Sequence, residues 1–381
     1  MPSISRIETF LVPPRWLFVR IETDDGLVGW GEASLEGHGE AVAGAFESVR
    51  DRLIGRDPDR IEDAWQTLYR LGFYRGGPVL MSAISGVDQA LWDIKGKRLG
   101  VPIWQLLGGQ VRERVDVYAW IGGDRPTDVA EAAAERRAQG FRAVKMNAVE
   151  DMGWLDSPDR LREPVERLER VRETGIDVGV DFHGRVHKPM ARRLIHALAP
   201  YDPLFIEEPL TSENPEALAQ LAGQTHIPLA LGERLYSRWD YKRLFELAAV
   251  DIIQPDLSHA GGISEVRRIA AAAEAYDVAV APHCPLGPLA LASCMQIAIA
   301  TPNFVIQEMS LQIHYNSLDA DLTTYLEDGS VFAVEQGSIA ALTAPGLGVS
   351  IDEARVRDAA RDPHRWRNPV WRGADGSLRE W

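Results

Sequence analysis

Six ionisable residues recur through the second half of this chain at a nearly constant spacing. Asp181, Glu207, Glu233, Asp256, His283 and Glu308 follow one another at intervals of 26, 26, 23, 27 and 25 residues. Each lies at or just past the end of a short apolar run. From residue 115 onward such runs cover 115–121, 141–146, 177–181, 204–207, 228–232, 251–254, 278–281 and 304–307, with helical periodicity between them, as in 191–198, 215–221, 239–247, 264–275 and 289–300. Parallel strands need a crossover of a dozen or more residues, and one strand plus one helix accounts for the interval. Eight such units predict an α/β fold, a (β/α)-barrel of TIM type rather than an open sheet. The C-terminal ends of barrel strands converge on a single mouth, so a polar residue repeated at the fold's own period belongs to that mouth.

The first hundred residues have a different pattern. Alternating runs at 4–12, 16–23 and 27–33, with the Asp24-Asp25-Gly26 turn, predict a small antiparallel sheet. Helical periods at 41–53, 59–71 and 79–99 follow it. This is an α+β domain, placed at 1–112 and completed by about 335–381, where Pro345, Gly346, Gly348, Pro363 and Pro369 punctuate a stretch without barrel period. The barrel is placed at 113–334. A chain of 381 residues that is 45% hydrophobic buries a large core, and its net charge of −15 argues against a nucleic-acid partner. Two cysteines, Cys284 and Cys294, are too few for a disulfide framework, which fits a reducing cytoplasm. The segment from Met1 to Phe10 lacks the basic start and apolar stretch of a signal peptide, and no apolar run is long enough for a membrane span. A homo-oligomer without membrane partners is expected.

The residue types at the mouth specify the chemistry. Asp181, Glu207 and Glu233 come from adjacent strands and would repel one another unless a cation lay among them. An oxygen-only set selects a hard ion, Mg2+ above all, with Mn2+ as the second choice. His283 ends strand seven and Asp256 ends strand six, so the carboxylate can bond one ring nitrogen and leave the other, more basic, facing a substrate. His183 lies two residues past Asp181 and can face the same way. It is either a fourth ligand or a proton carrier approaching from the side opposite His283. His314 follows strand eight and His259 follows strand six; both are within reach of the mouth. Gly29-Trp30-Gly31 is not followed by a helix and is no dinucleotide fingerprint, and a P-loop sequence is lacking.

The set just described resembles the mandelate-racemase group of the enolase superfamily. Its motifs are Ile206-Glu207-Glu208-Pro209, Gly232-Glu233-Arg234, and the pair of Asp256 and His283. Longer runs bring the chain nearer to the D-galactonate dehydratases. These are Pro13-Pro14-Arg15-Trp16, 72–78, Asp181-Phe182-His183-Gly184-Arg185-Val186, 254–262, 281–288 and Trp366-Arg367-Asn368-Pro369. The resemblance implies that Asp181, Glu207 and Glu233 bind Mg2+. It also implies that His283, backed by Asp256, abstracts the proton at C2 of a sugar acid. His183 would assist loss of the C3 hydroxyl, and Glu308 would stabilise the intermediate, for which it would need a proton raised onto it by burial. The implied reaction converts D-galactonate to 2-dehydro-3-deoxy-D-galactonate and water. Racemases of the group carry Lys-x-Lys after strand two, whereas this chain has Lys145-Met146-Asn147, and Asn147 cannot serve as a base. Arg15, Lys145, Asn147 and His314 are the expected substrate contacts, and the 34–39 loop is expected to help close the mouth.

Other readings remain at this level: another aldonic acid such as gluconate, or an epimerase or racemase on the same scaffold. A metal-dependent hydrolase would need His-x-His on strand one, which residues 118–122 lack. A non-catalytic metal-stabilised protein would have no use for the full set of acids and bases.

Overall fold

The computed structural model describes residues 2–70, 72–123 and 128–381. Met1 and Leu71, the last residue of the helix expected at 59–71, lie outside them. Strands β1 (Ile4–Val12), β2 (Trp16–Thr23) and β3 (Val28–Glu32) form an antiparallel sheet in that order. Strand alternation divides its side chains between two cores. Phe10, Val12, Trp16, Phe18 and Trp30 join the barrel core, while Ile7, Leu17, Val19 and Ile21 pack with the capping helices. Those helices are α1 (Gly39–Val49), α2 (Ile61–Arg70) and α3 (Pro78–Leu99). α3 runs between β3 and the barrel and is buried on most of its circumference. The Gly-Trp-Gly run has its explanation here: a Cβ on Gly29 or Gly31 would stand 2.1 or 2.2 Å from a carbonyl oxygen of α3, so only glycine allows the sheet this close to the helix.

After the short α4 (Ile103–Leu106), the barrel strands are β4 (Arg114–Ile121), β5 (Ala143–Asn147), β6 (Asp177–Asp181), β7 (Ile206–Glu207), β8 (Leu229–Leu231), β9 (Ile252–Ile253), β10 (Ala279–Val280) and β11 (Gln307–Met309). They pair in parallel in sequence order, and β11 returns to β4. A bridge between Val280 and Phe304 closes the ring. The helices between them are α5 (Val129–Ala138), α6 (Arg162–Glu173), α7 (Lys188–Leu198), α8 (Pro215–Ala222), α9 (Arg238–Glu246), α10 (Gly262–Glu274) and α11 (Pro288–Ala300). The expected barrel with an α+β cap is the observed architecture. The eighth strand differs in detail. The run at 304–307 is split, Phe304 bridging to Val280 and residues 307–309 pairing with β4, so that its two neighbours are met by successive parts of the segment.

The tail divides its contacts. β12 (Ser338–Ala340) pairs antiparallel with the start of β4. α12 (Glu353–Ala359) lies on the capping sheet, where Arg357 meets Glu8 at 3.0 Å and Glu353 meets Arg20 at 3.2 Å. The last residues return to the barrel mouth. Among the described residues no helix is long and apolar enough to cross a membrane.

Candidate active site

Strand register sets the acids side by side. Asn147 pairs with Asp181 across β5 and β6, and Asp181 pairs with Glu207 across β6 and β7. Glu233 lies two residues past β8, Asp256 and His283 three past β9 and β10, and Glu308 within β11. All face a cavity of about 330 Å³ at the C-terminal end of the barrel or the residues lining it. Asp181, Glu207, Asp256 and Glu308 are each at most 2% exposed.

Lys145 is the centre of one half of the site. Its Nζ lies 2.6 Å from Glu207 Oε1, 2.9 Å from Glu308 Oε1 and 3.5 Å from Asp181 Oδ2. Gln254 donates to the other oxygen of Glu207 at 2.6 Å, and the His183 N–H donates to Asp181 at 2.6 Å. Burial, then repulsion from neighbouring acids, pushes Glu207 up, and burial pushes Asp181 up to about 6 against the pull of Lys145. Burial would lower Lys145, but Glu207 and Glu308 outweigh it and keep the ammonium charged. Raised acids beside a retained cation have one origin, a surplus of buried carboxylates over cations. Glu308 moves against expectation. Burial acts to raise it, yet Lys145, His283 and the N–H of Cys284 at 2.9 Å together hold it below the usual carboxylate range. It is an ionised partner of Lys145, not a protonated donor.

The histidines occupy the other half. His283 Nδ1 donates to Asp256 Oδ2 at 2.8 Å, and its Nε2 stands 3.1 Å from Glu233 Oε2. Burial would lower this imidazole, but Glu233 and Asp256 raise it well above its ordinary value. His183 Nε2 lies 3.9 Å from the other oxygen of Glu233. The two rings therefore stand on either side of one carboxylate. Burial, followed by Arg185 and Arg234, drives His183 well down, so it rests neutral. Arg234 also donates to the His183 carbonyl at 2.8 Å, and the Trp381 ring meets the His183 ring edge to face.

Asp181, Glu207 and Glu233 offer only oxygen, and the buried Glu233 Oε2 makes no hydrogen bond of good geometry, with His283 Nε2 beside it at 3.1 Å. With the raised Asp181 and Glu207, this donor set fits a hard divalent cation. Their oxygens are not drawn together as tightly as the ligand atoms of Asp256, His259 and His283, which lie within 4.8 Å of one another. That trio contains the hydrogen-bonded dyad and two imidazoles, a poor match for a hard ion.

Of the expected substrate contacts, Arg15 and Lys145 line the cavity. Asn147 is fully buried and donates to the Gly123 carbonyl at 3.1 Å. His314 packs on Trp120 at 4.7 Å; its neighbour Tyr315 reaches the cavity and covers the Arg15 guanidinium at 3.8 Å. Arg234, Gln254, Tyr236 and Trp381 escaped the sequence reading as site residues. Gln254 left a trace, a polar residue ending an apolar strand, and Arg234 directly follows Glu233. Trp381 left none.

Comparison with known proteins agrees with this geometry. Residues 11–108 match the mandelate racemase / muconate lactonizing enzyme N-terminal domain, and residues 128–355 match the enolase C-terminal domain-like family. Two D-galactonate dehydratases are similar over 100% of both chains: that of Ralstonia nicotianae at 54% identity and that of Ralstonia pickettii at 53%. The crystal structure of an enolase from Agrobacterium radiobacter, bound to Na and L-malate, superposes with a TM-score of 0.90 at 34% identity over 99% of each chain. A member of the enolase superfamily from Salmonella Typhimurium gives 0.86 at 28% identity over 94% of this chain and 98% of its own. The chain belongs to the mandelate racemase/muconate lactonizing enzyme family of the enolase superfamily.

Proposed function

We propose that the chain is a Mg2+-dependent hydro-lyase that converts D-galactonate to 2-dehydro-3-deoxy-D-galactonate and water. The observation that carries the reading is the placement of His283 and His183 against the two oxygens of Glu233, at 3.1 and 3.9 Å. Full-length similarity to D-galactonate dehydratases supports the substrate.

Asp181, Glu207 and Glu233 would hold the ion. When bound there, Mg2+ supplies positive charge for the substrate carboxylate and for the charge that builds up as C2 loses its proton. Burial opposes a charged His283 imidazole, and Glu233 is the largest charge that holds it protonated; with Glu233 committed to the cation, Asp256 fixes the neutral tautomer and Nε2 is free to take the proton. The C–H electron pair moves into the C1–C2 bond. Lys145, held by Glu308, presents its ammonium to the growing negative charge. Expulsion of the C3 hydroxyl follows. Hydroxide is a poor leaving group, and His183 delivers the proton that makes it water. His183 rests neutral, so it takes up that proton from solvent before passing it to the departing hydroxyl. The enol product then tautomerises to the 2-keto acid. Asn147 at the place of a racemase lysine leaves no second base on β5, which favours elimination over racemisation.

The test is incubation of the protein with D-galactonate and Mg2+, following the 2-keto-3-deoxy acid. Product is expected with Mg2+ and none in excess chelator. Full activity in chelator, or a stereoisomer in place of the keto acid, would overturn the proposal.

A further inference from the structure

Asp256 serves two histidines. Its Oδ1 accepts from the Ser258 N–H at 2.6 Å, and its Oδ2 accepts from His283 at 2.8 Å. The same Oδ2 lies 3.6 Å from Nδ1 of His259, a ring only 4% exposed. The other nitrogen of His259 leaves the barrel altogether. Its Nε2 is 2.9 Å from the Ser34 carbonyl and 3.4 Å from Glu36 Oε2, both in the capping loop 34–39. Glu36 is in turn 3.8 Å from Arg15. Nε2 has two acceptors within 3.4 Å and Nδ1 stands 3.6 Å from a carboxylate oxygen, so a doubly protonated ring suits both sides better than either neutral tautomer. Burial opposes that charge, and Asp256 and Glu36 overcome it, raising the group to about 9.

We infer that His259 is a positioning residue, tying the seating of the capping loop 34–39 to the placement of Asp256 behind the base His283. Both partners of its Nε2 belong to that loop, and Leu35, Glu36 and His38 of the loop line the substrate cavity. Withdrawal of the loop would release the ring, and Asp256 would lose the imidazolium that stands 3.6 Å from the oxygen it offers to His283. A substrate that seats the loop thereby sets the base. This inference rests on the dyad reading of Asp256 and His283.

A double-mutant cycle on kcat tests it, with D-galactonate and Mg2+. His259→Gln can still reach toward the loop but places no ring against Asp256. It is expected to lower kcat about tenfold or more, a fraction of the roughly 10²–10⁴ that general-base catalysis supplies, with little change in KM. In an Asp256→Asn background the same substitution should cost almost nothing, because contacts that act through a shared group are not additive. Additive losses, or an unchanged kcat in His259→Gln, would overturn the inference while leaving the dyad intact. A near-wild-type rate for Asp256→Asn alone would overturn both. If His259→Gln does not fold, Glu36→Gln takes its place in the cycle. A kcat loss that vanishes in the Asp256→Asn background sustains the inference, and no loss or an additive one removes it.

Discussion

The interface between cap and barrel and the barrel mouth both bury carboxylates, and they treat them differently. At the interface, Glu32 accepts from Gly287 N at 2.8 Å, Ser34 Oγ at 2.7 Å and Ala290 N at 3.0 Å, capping α11 from the other domain. Asp93 accepts from Leu347 N and Trp30 N, each at 2.9 Å, and from Lys97 at 2.6 Å. Both oxygens of each acid are occupied. At the mouth, the buried Glu208 finds no hydrogen bond of good geometry for either oxygen, with Arg234 Nε 3.6 Å away, and burial pushes it up to about 8. Glu233 Oε2 likewise makes no hydrogen bond of good geometry, with the His283 imidazole beside it at 3.1 Å. An acid buried with complete partners has part of its burial cost offset, though burial still raises Glu32 to about 7. An acid buried without them costs stability and persists where something outside the chain completes it.

The contrast is broken or sharpened by substitution in each region. The largest effect is expected at the mouth. Asp181→Ala or Glu233→Ala should lower kcat/KM by about 10³ or more, since cation stabilisation is worth several kcal/mol. Metal-free Tm should stay level or rise in Asp181→Ala, because a buried charge raised by burial and by repulsion from Glu233 has been removed. A fall in Tm as deep as that at the interface would erase the distinction. Next come the two histidines. His183→Asn should still exchange the C2 proton of D-galactonate in deuterated water without forming keto acid, and His283→Asn should do neither, each losing about 10²–10⁴ in turnover. Exchange by the His283 variant alone, read by proton NMR, would reverse their roles. The smallest catalytic effect belongs to the interface. Glu32→Ala strands the Gly287 and Ala290 N–H donors at the α11 N-terminus and should cost about 2–6 kcal/mol of stability, at about 1–3 per unsatisfied group. Its kcat per folded molecule should change far less than in the mouth variants. Denaturant unfolding beside turnover measures both quantities.

The ring of functional residues was legible because a strand–helix unit has a nearly fixed length, so Asp181 through Glu308 betray their common position by spacing alone. The run from Trp16 to Thr23 likewise read as a strand, and only the structure shows it buried on both faces, Trp16 and Phe18 in one core and Leu17 and Val19 in the other. Spacing fails where an element serves two partners, and the eighth strand is displaced from 304–307 to Gln307–Met309 for that reason. It fails again for charge. Glu308 looked like an acid to be raised by burial, and only the 2.9 Å approach of Lys145 from β5 shows that it is held ionised.

By itself, then, the sequence determined the barrel, its capping domain and the identity of the acids and bases at the mouth, because these follow from periodicities and residue chemistry that are local in the chain. The tertiary structure decided which way burial and neighbouring charges push those groups, why Gly29 and Gly31 are glycines, that Asn147 and His314 do not line the cavity, and that Glu36 and Trp381 do. These properties depend on distances between segments hundreds of residues apart, and Coulomb and packing forces respond to those distances rather than to order along the chain.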